Sequence, residues 1–337
     1  MAQPANTTFR LGLLFALGSA FTFGLSGPLA KSLMTAGWSP TAAVTARLAA
    51  GALAMAVFAT VIKPGWIREA LQHIRAIVLY GLIPIAGAQL CYYNAVSHVS
   101  VGVAMLLEYT APLLVVGWVW VNTSRRPSNR TLAGVGTAVA GIMVVLGVFD
   151  GLANAHVNAV GIAWGLGAAV CAACFFLMSD EVSTDGSGLD AITLAAGGLT
   201  VGAVAVAALG LSGVMPLTYT TGDVVLAGFT TSWIVPVVLL ALLPTAIAYT
   251  LGIAGITRLR PSFASLVGLS EVLFAVLWAW LLIGEAVSIT QAIGGFVVLV
   301  GLALARSGDR SAEVTAASWP DAGALEIAEP VQIRRAE

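Results

Sequence analysis

Of the 337 residues, 59% are hydrophobic and only 9% charged, against roughly 45–50% and about 25% in soluble domains. So few charges cannot cover that much apolar surface in water, which makes lipid the solvent of the folded chain. A formal net charge of −1 argues against a nucleic-acid or strongly acidic partner, and three cysteines inside apolar runs imply no disulfide framework.

The first apolar run, 11–29, is longer than the core of a secretory leader and lacks a clear A-x-A-type cleavage site, so it reads as a retained first crossing. Further runs of about 20 residues, each long enough for one crossing, bring the set to 11–30, 40–62, 76–97, 101–122, 131–149, 158–179, 190–212, 233–257, 261–283 and 288–306. Pro84, Pro112 and Pro244 fall inside them, where neighbouring helices can satisfy the freed carbonyls. Barrel strands would alternate polar and apolar residues and these runs do not. The expected fold is therefore an all-α integral membrane protein with ten transmembrane helices. Residues 307–337 mix acids with small and polar residues and read as a disordered tail.

Basic residues set the direction. With the N-terminus in the cytoplasm, that side receives Arg10, Lys63, Arg68, Arg75, Arg125, Arg126, Arg130, Arg258, Arg260, Arg306, Arg310, Arg334 and Arg335, thirteen of fifteen. The other side receives Lys31 alone, and Arg47 lies within the second run. Both termini are then cytoplasmic, in a cell (inner) membrane.

Residues 84–144 reappear at 244–304, 160 positions on and without a gap. Pro84 answers Pro244, Trp118 and Trp120 answer Trp278 and Trp280, and Gly134 and Gly141 answer Gly294 and Gly301. The charges do not follow: Arg125 becomes Glu285, and His98 and Ser100 become Arg258 and Arg260. A kept core with exchanged basic loops predicts two five-helix repeats, 1–150 and 151–306, lying antiparallel in one membrane. The first helices match at an offset of 149, so eleven residues are absorbed near 213–232.

Three ionisable residues lie well inside the runs: Arg47, Glu108 and Glu271. Each costs about 2.5–3.5 kcal/mol at a helix centre on insertion scales, so each needs a partner or a wet cavity. At a rise of about 1.5 Å per residue, Arg47 and Glu108 share a layer roughly 10 Å from the outer surface, and Glu271 lies near the midplane. Two readings of Arg47 and Glu108 stand: a structural ion pair, or a substrate site in which the guanidinium grips a carboxylate and Glu108 takes an ammonium or a proton. Met105, Glu108, Tyr109 and Pro112 fall on one face of a continuous helix. The third run adds Gln89, Tyr92, Tyr93 and Asn94, with Gln89 and Tyr93 at i and i+4. Candidate substrate-binding residues are thus Arg47, Glu108, Gln89, Tyr93, Asn94 and Tyr109. Glu271 either serves coupling or caps a broken segment.

Other signals point to packing. Cys171-x-x-Cys174 has no second ligand pair; His73, His98 and His156 show no metal spacing; Gly161/Gly165 and Gly198/Gly202 are close-packing motifs. The four matched Trp residues read as span-end packing or interfacial anchors. No cofactor or metal is implied, and without GxxxxGK[ST] the chain cannot itself hydrolyse ATP.

SEVLFAVLWAWLLIGE at 270–285 and the closing runs GIMVVLG and GGFVVLVG resemble the EamA family of the drug/metabolite transporter superfamily. The family's usual Glu-Pro of the ninth helix is here Glu271-Val272. GPLAKSL (27–33), RLAAG (47–51) and LLEYTAPL (106–113) are similar to its threonine/homoserine exporter branch. The resemblance implies an inner-membrane exporter of amino acids or similar metabolites, working by alternating access with or without a coupling proton. It adds Lys31 and Pro112, as coupling or gating positions, to Arg47 and Glu108. An importer of sugars or nucleotide-sugars stays open. A lipid-modifying intramembrane enzyme would need a nucleophile and base at one depth, and a channel would need rings of like charge; neither pattern is visible.

Overall fold

Backbone polar groups that meet lipid must be satisfied within their own segment, and the chain answers with helix almost throughout. The structure, a computed structural model, describes residues 4–124, 126–146, 158–184, 189–248, 251–252 and 267–308. The expectations for Arg125, Arg258, Arg260, His156 and the tail beyond 308 lie outside these residues.

In chain order the helices are α1 (Pro4–Phe23), α2 (Ser26–Thr35), α3 (Pro40–Ile62), α4 (Trp66–Gln72), α5 (Ile74–Tyr80), α6 (Ala88–His98), α7 (Val101–Glu108), α8 (Ala111–Thr123), α9 (Asn129–Val145), α10 (Ala159–Thr184), α11 (Ala191–Leu211), α12 (Ile234–Ala241), α13 (Ser270–Ile283) and α14 (Ile289–Gly308). Among the described residues, five runs are long and apolar enough to cross a membrane: Phe9–Thr35, Pro40–Ile62, Ile74–His98, Val101–Asn122 and Ile192–Leu211. Five shorter apolar helices accompany them, Asn129–Val145, Ala159–Cys174, Ile234–Thr245, Ser270–Ile283 and Ile289–Ala305. Several starts are written locally. Ser39, Ser100, Ser128 and Asp190 each accept a hydrogen bond from a backbone N–H of the first turn of α3, α7, α9 and α11, satisfying a donor the helix cannot use.

Two features depart from the expected series of uninterrupted helices. Residues 223–232, inside the connection expected to absorb extra length, form a hairpin of β1 (Asp223–Leu226) and β2 (Phe229–Ser232) with Leu226 opposite Phe229. Its two-residue turn, Ala227-Gly228, has positive φ at both positions (53° and 78°), the combination whose twist suits a tight hairpin. Val224 is buried against Leu29, Leu33 and Leu240, and Ala227 N donates to Leu282 O at 2.7 Å. The first and fourth crossings are also broken, at Gly24–Leu25 and Tyr109–Thr110. Glu108 and Pro112 therefore sit on separate helices, not on one continuous face.

Several irregularities recur 160 positions apart. The third and eighth apolar runs of the sequence each contain a π-helical turn, Gly81–Gly87 and Leu242–Ile247, around Pro84 and Pro244. Proline removes the donor for the carbonyl four residues back; Thr245 Oγ1 fills that role by donating to Leu240 O at 3.1 Å. The interruption at Tyr109–Thr110 answers a turn at Leu269.

The closest helix contact joins α9 to α14, and it repeats in the same way. A methyl on Gly134 would strike the backbone of Ala305 and Gly301, and one on Gly301 that of Ala138 and Gly134. Gly141 and Gly294 face Val298 and Val145: a methyl on either would lie 2.7 Å from the valine nitrogen and 2.9 Å from the other glycine's carbonyl. Moving every residue by 160 turns each of these contacts into another of the set. Contacts that exchange under one shift are the mark of a two-fold axis. The two helices run antiparallel across it.

Candidate functional site

Gly24 allows the first break: a methyl there would lie 2.8 Å from Ala275 N of α13. The break puts Ser26 at the start of α2, facing Arg47 of α3 and Gln89 and Tyr93 of α6. Arg47 is buried, and one terminal nitrogen, Nη1, donates to Ser26 Oγ, to Gln89 Oε1 at 2.7 Å and to Tyr93 OH at 3.3 Å. The guanidinium carbon lies 5.9 Å from the Tyr93 ring centroid, and Ser26 Oγ and Tyr93 OH are 3.2 Å apart. The shared face of Gln89 and Tyr93 is thus realised, and both residues are spent on Arg47. All three groups on Nη1 are neutral. A carboxylate binds a guanidinium more strongly and in a two-pronged way, so an anionic ligand group can displace the hydroxyl and the amide.

Glu108 ends α7 at the second break and is 6% exposed. Among the described residues it makes no hydrogen bond and no ion pair. Of the two readings left open for it, the direct ion pair with Arg47 is not formed, although Arg47 is its largest electrostatic neighbour. Equal depth along two helices brings residues to one layer but says nothing about which way they face. A buried carboxylate without a partner is held at a cost that only a proton, an ammonium or a moving cation relieves.

Tyr109 reaches across to the start of α13. Its hydroxyl donates to Glu271 Oε2 at 2.8 Å, with Gly268 O at 3.3 Å. Glu271 lies in the first turn of α13, where the helix dipole favours a negative charge. Asn94 Nδ2 donates to Leu90 O of its own helix at 2.7 Å, which ties one amide N–H back to α6. Pro112 occupies the first turn of α8, where its missing N–H leaves no helix bond unmade. Lys31 pairs with Glu285 Oε2 at 3.3 Å and donates to Val99 O at 2.9 Å, while Val101 N donates to Glu285 Oε1 at 3.1 Å.

Ser26, Glu285 and the carbonyl of Gly268 were not among the expected site residues. The only trace of Ser26 is a polar residue between Gly24, Gly27 and Pro28 in an apolar run. Cys171 lies beside Cys91, where α10 packs on α6. No group of three metal-ligating side chains occurs among the described residues.

The EamA-like transporter family model matches twice, over residues 10–147 and 159–307. The chain belongs to the EamA-like transporter family. Two relatives carry the same name: the threonine/homoserine exporter RhtA of Salmonella typhimurium strain SL1344 is 32% identical over 270 residues, 79% of this chain and 80% of that protein. The protein of that name from Escherichia coli strain K12 is 30% identical over 251 residues, 74% and 75% of the two chains. A crystal structure of 21% identity superposes with a TM-score of 0.57 over 89% of this chain and 96% of its own, which speaks for the fold alone. This EamA-family chain is a multi-pass membrane transporter.

Proposed function

We propose that the protein exports amino acids of the threonine/homoserine kind, or similar small metabolites, as a secondary active transporter. In this reading two inverted five-helix repeats, 1–150 and 151–306, cross a bacterial inner membrane ten times with both termini in the cytoplasm. The two family matches, the 160-residue recurrence of turns and glycine contacts, and the side chosen by the basic residues support it.

One observation carries the site: a buried guanidinium bonded to the displaceable groups of Ser26 and Gln89 stands in the field of a buried carboxylate, Glu108, that makes no hydrogen bond or ion pair among the described residues. A zwitterion matches both ends. Its carboxylate replaces Ser26 Oγ and Gln89 Oε1 on Arg47, and its ammonium, or a proton, neutralises Glu108. The helix breaks beside Ser26 and Glu108 let that exchange couple to motion, as discontinuous helices do in other carriers. Lys31–Glu285 then acts as the latch of the outer face, and Tyr109–Glu271 joins the breaks of spans four and nine. One charge moving down 100 mV supplies about 2.3 kcal/mol, roughly fifty-fold accumulation.

The test is transport by purified protein in liposomes, screened against a panel of amino acids, sugars and nucleotide-sugars with and without a pH gradient. Saturable threonine or homoserine flux, lost in Arg47→Ala, is expected. Flux of sugars or nucleotide-sugars alone would replace this reading with an importer or exporter of neutral or anionic solutes.

A further inference from the structure

In the field of Arg47 a second buried polar group has no hydrogen-bond partner among the described residues. Tyr92, 4% exposed, keeps its hydroxyl out of contact with solvent and makes no hydrogen bond through it. Buried hydroxyls are nearly always hydrogen-bonded, and an orphan calls for an explanation. Its surroundings supply one. The phenol tip lies against Gly27, the residue after Ser26, where any side chain would collide with it and with Val101. Its ring centroid is 5.7 Å from that of Tyr93, and its hydroxyl lies within the fields of Glu108, Tyr93, Glu271 and Arg47. It therefore stands inside the constellation assigned above to a zwitterion. The segments that cover it, α2 and α7, are the ones that begin and end at the two breaks.

We propose that the Tyr92 hydroxyl hydrogen-bonds a hydroxyl on the substrate's side chain and so selects hydroxylated amino acids over apolar ones of equal size. This rests on the reading that Arg47 and Glu108 hold the carboxylate and ammonium. A ligand with a carboxylate, an ammonium and a hydroxyl satisfies all three groups at once, whereas an apolar side chain leaves the phenol orphaned. A site built around a substrate hydroxyl rejects the analogue that lacks it because its own buried group is then left unpaired.

The experiment measures KM for L-threonine, L-valine (methyl for hydroxyl) and L-2-aminobutyrate (hydroxyl deleted) in proteoliposomes of the wild type and Tyr92→Phe. The wild type is expected to favour threonine on the order of 10- to 100-fold, the range that one unpaired buried group produces. In Tyr92→Phe the ratio falls toward one through a loss at threonine. Removing a hydroxyl without a partner leaves the fold intact, so the melting temperature of the variant should be unchanged or higher. An unchanged ratio overturns the proposal, as does an equal loss for all three substrates, which would make Tyr92 a prop for Arg47 or Glu108. If the wild type carries none of the three, the amino-acid reading itself falls and takes this inference with it; that arm is read before any variant is made.

Discussion

Tyr109 and Glu271 meet at 2.8 Å across the interruptions of two different spans, the phenol donating to the carboxylate. Each lies within two residues of a break that recurs 160 positions away. A hydrogen bond to a charged group contributes about 1.5–3 kcal/mol. Tyr109→Phe and Glu271→Gln should each lower stability in detergent by about that much, and the double variant should be no worse than the worse single one. Losses that add would show the two residues acting independently.

Arg47 and Glu108 make separable predictions. Arg47→Lys keeps the charge but loses the planar fork that reaches Ser26, Gln89 and Tyr93, so substrate flux should fall about tenfold or more. Glu108→Gln removes the ionisable group without changing its volume. It should reduce efflux about tenfold or flatten its pH dependence in vesicles. Flux equal to wild type at every pH would remove Glu108 from the transport cycle.

The Lys31–Glu285 pair joins the first helical run to the end of α13, and both side chains also hold the backbone at Val99 and Val101. Alternating access requires such a contact to open once per cycle. Cysteines at positions 31 and 285, bridged by a short bifunctional thiol reagent, should arrest transport, and reductant should restore it. Full turnover in the bridged protein would mean that this end never opens.

What could be read in advance follows from what leaves a periodic trace. The common face of Gln89 and Tyr93 is a property of spacing along one chain, and both side chains meet Arg47; of the ten expected crossings, five runs among the described residues are long and apolar enough for one. Depth estimates placed Arg47 and Glu108 in one layer, but rotation about the helix axis decides contact, and these two do not pair. Asn94 looked like site equipment because it is polar and central, yet one amide N–H is tied back to its own helix. Ser26 with Arg47, Tyr109 with Glu271 and Lys31 with Glu285 join residues 21, 162 and 254 positions apart, and no local pattern announces such a partner. The hairpin depends on two positive-φ residues, Ala227 and Gly228, of which only the glycine advertises itself.

At the other end of the bundle a cluster outside the spans gives a pH prediction. Lys63 Nζ lies 2.6 Å from Glu69 and 3.2 Å from Asp190; Asp190 N and Thr193 Oγ1 donate to Glu69 at 2.7 and 2.9 Å. Burial opposes both charges, but hydrogen bonds from Lys63, Asp190 and Thr193 outweigh it and hold Glu69 below its ordinary 4.5. Burial is likewise outweighed at Lys63, which its two carboxylates hold above 10.5. A depressed acid stabilises the fold above its unfolded value and loses that stability as pH falls through its folded one; a raised base does the reverse at the alkaline end. The clamp is thus complete between pH 4.5 and 10.5 and weakens on either side. Lys63 is about a third exposed, so its pairs contribute no more than about 1 kcal/mol. Glu69→Gln should lower stability by about 1–2 kcal/mol at pH 7 and blunt the acid limb. An acid limb identical to wild type would place that limb elsewhere.

The glycine contact between α9 and α14 tests the two-fold relation itself. Gly134 and Gly301 touch the opposite backbone, so a methyl on either must push the helices apart, whereas Gly136 on the same helix has nothing within 4 Å of its would-be Cβ. Overpacking of this kind costs about 1–3 kcal/mol. Gly134→Ala and Gly301→Ala should therefore destabilise to a similar degree, because each meets the counterpart of what the other meets. Gly136→Ala should be neutral or slightly stabilising, as alanine is the better helix former by up to about 1 kcal/mol. Thermal melts of the three variants in one detergent decide the matter: if Gly134→Ala is tolerated as well as Gly136→Ala, or if Gly301→Ala alone is severe, the two helices are not related as drawn.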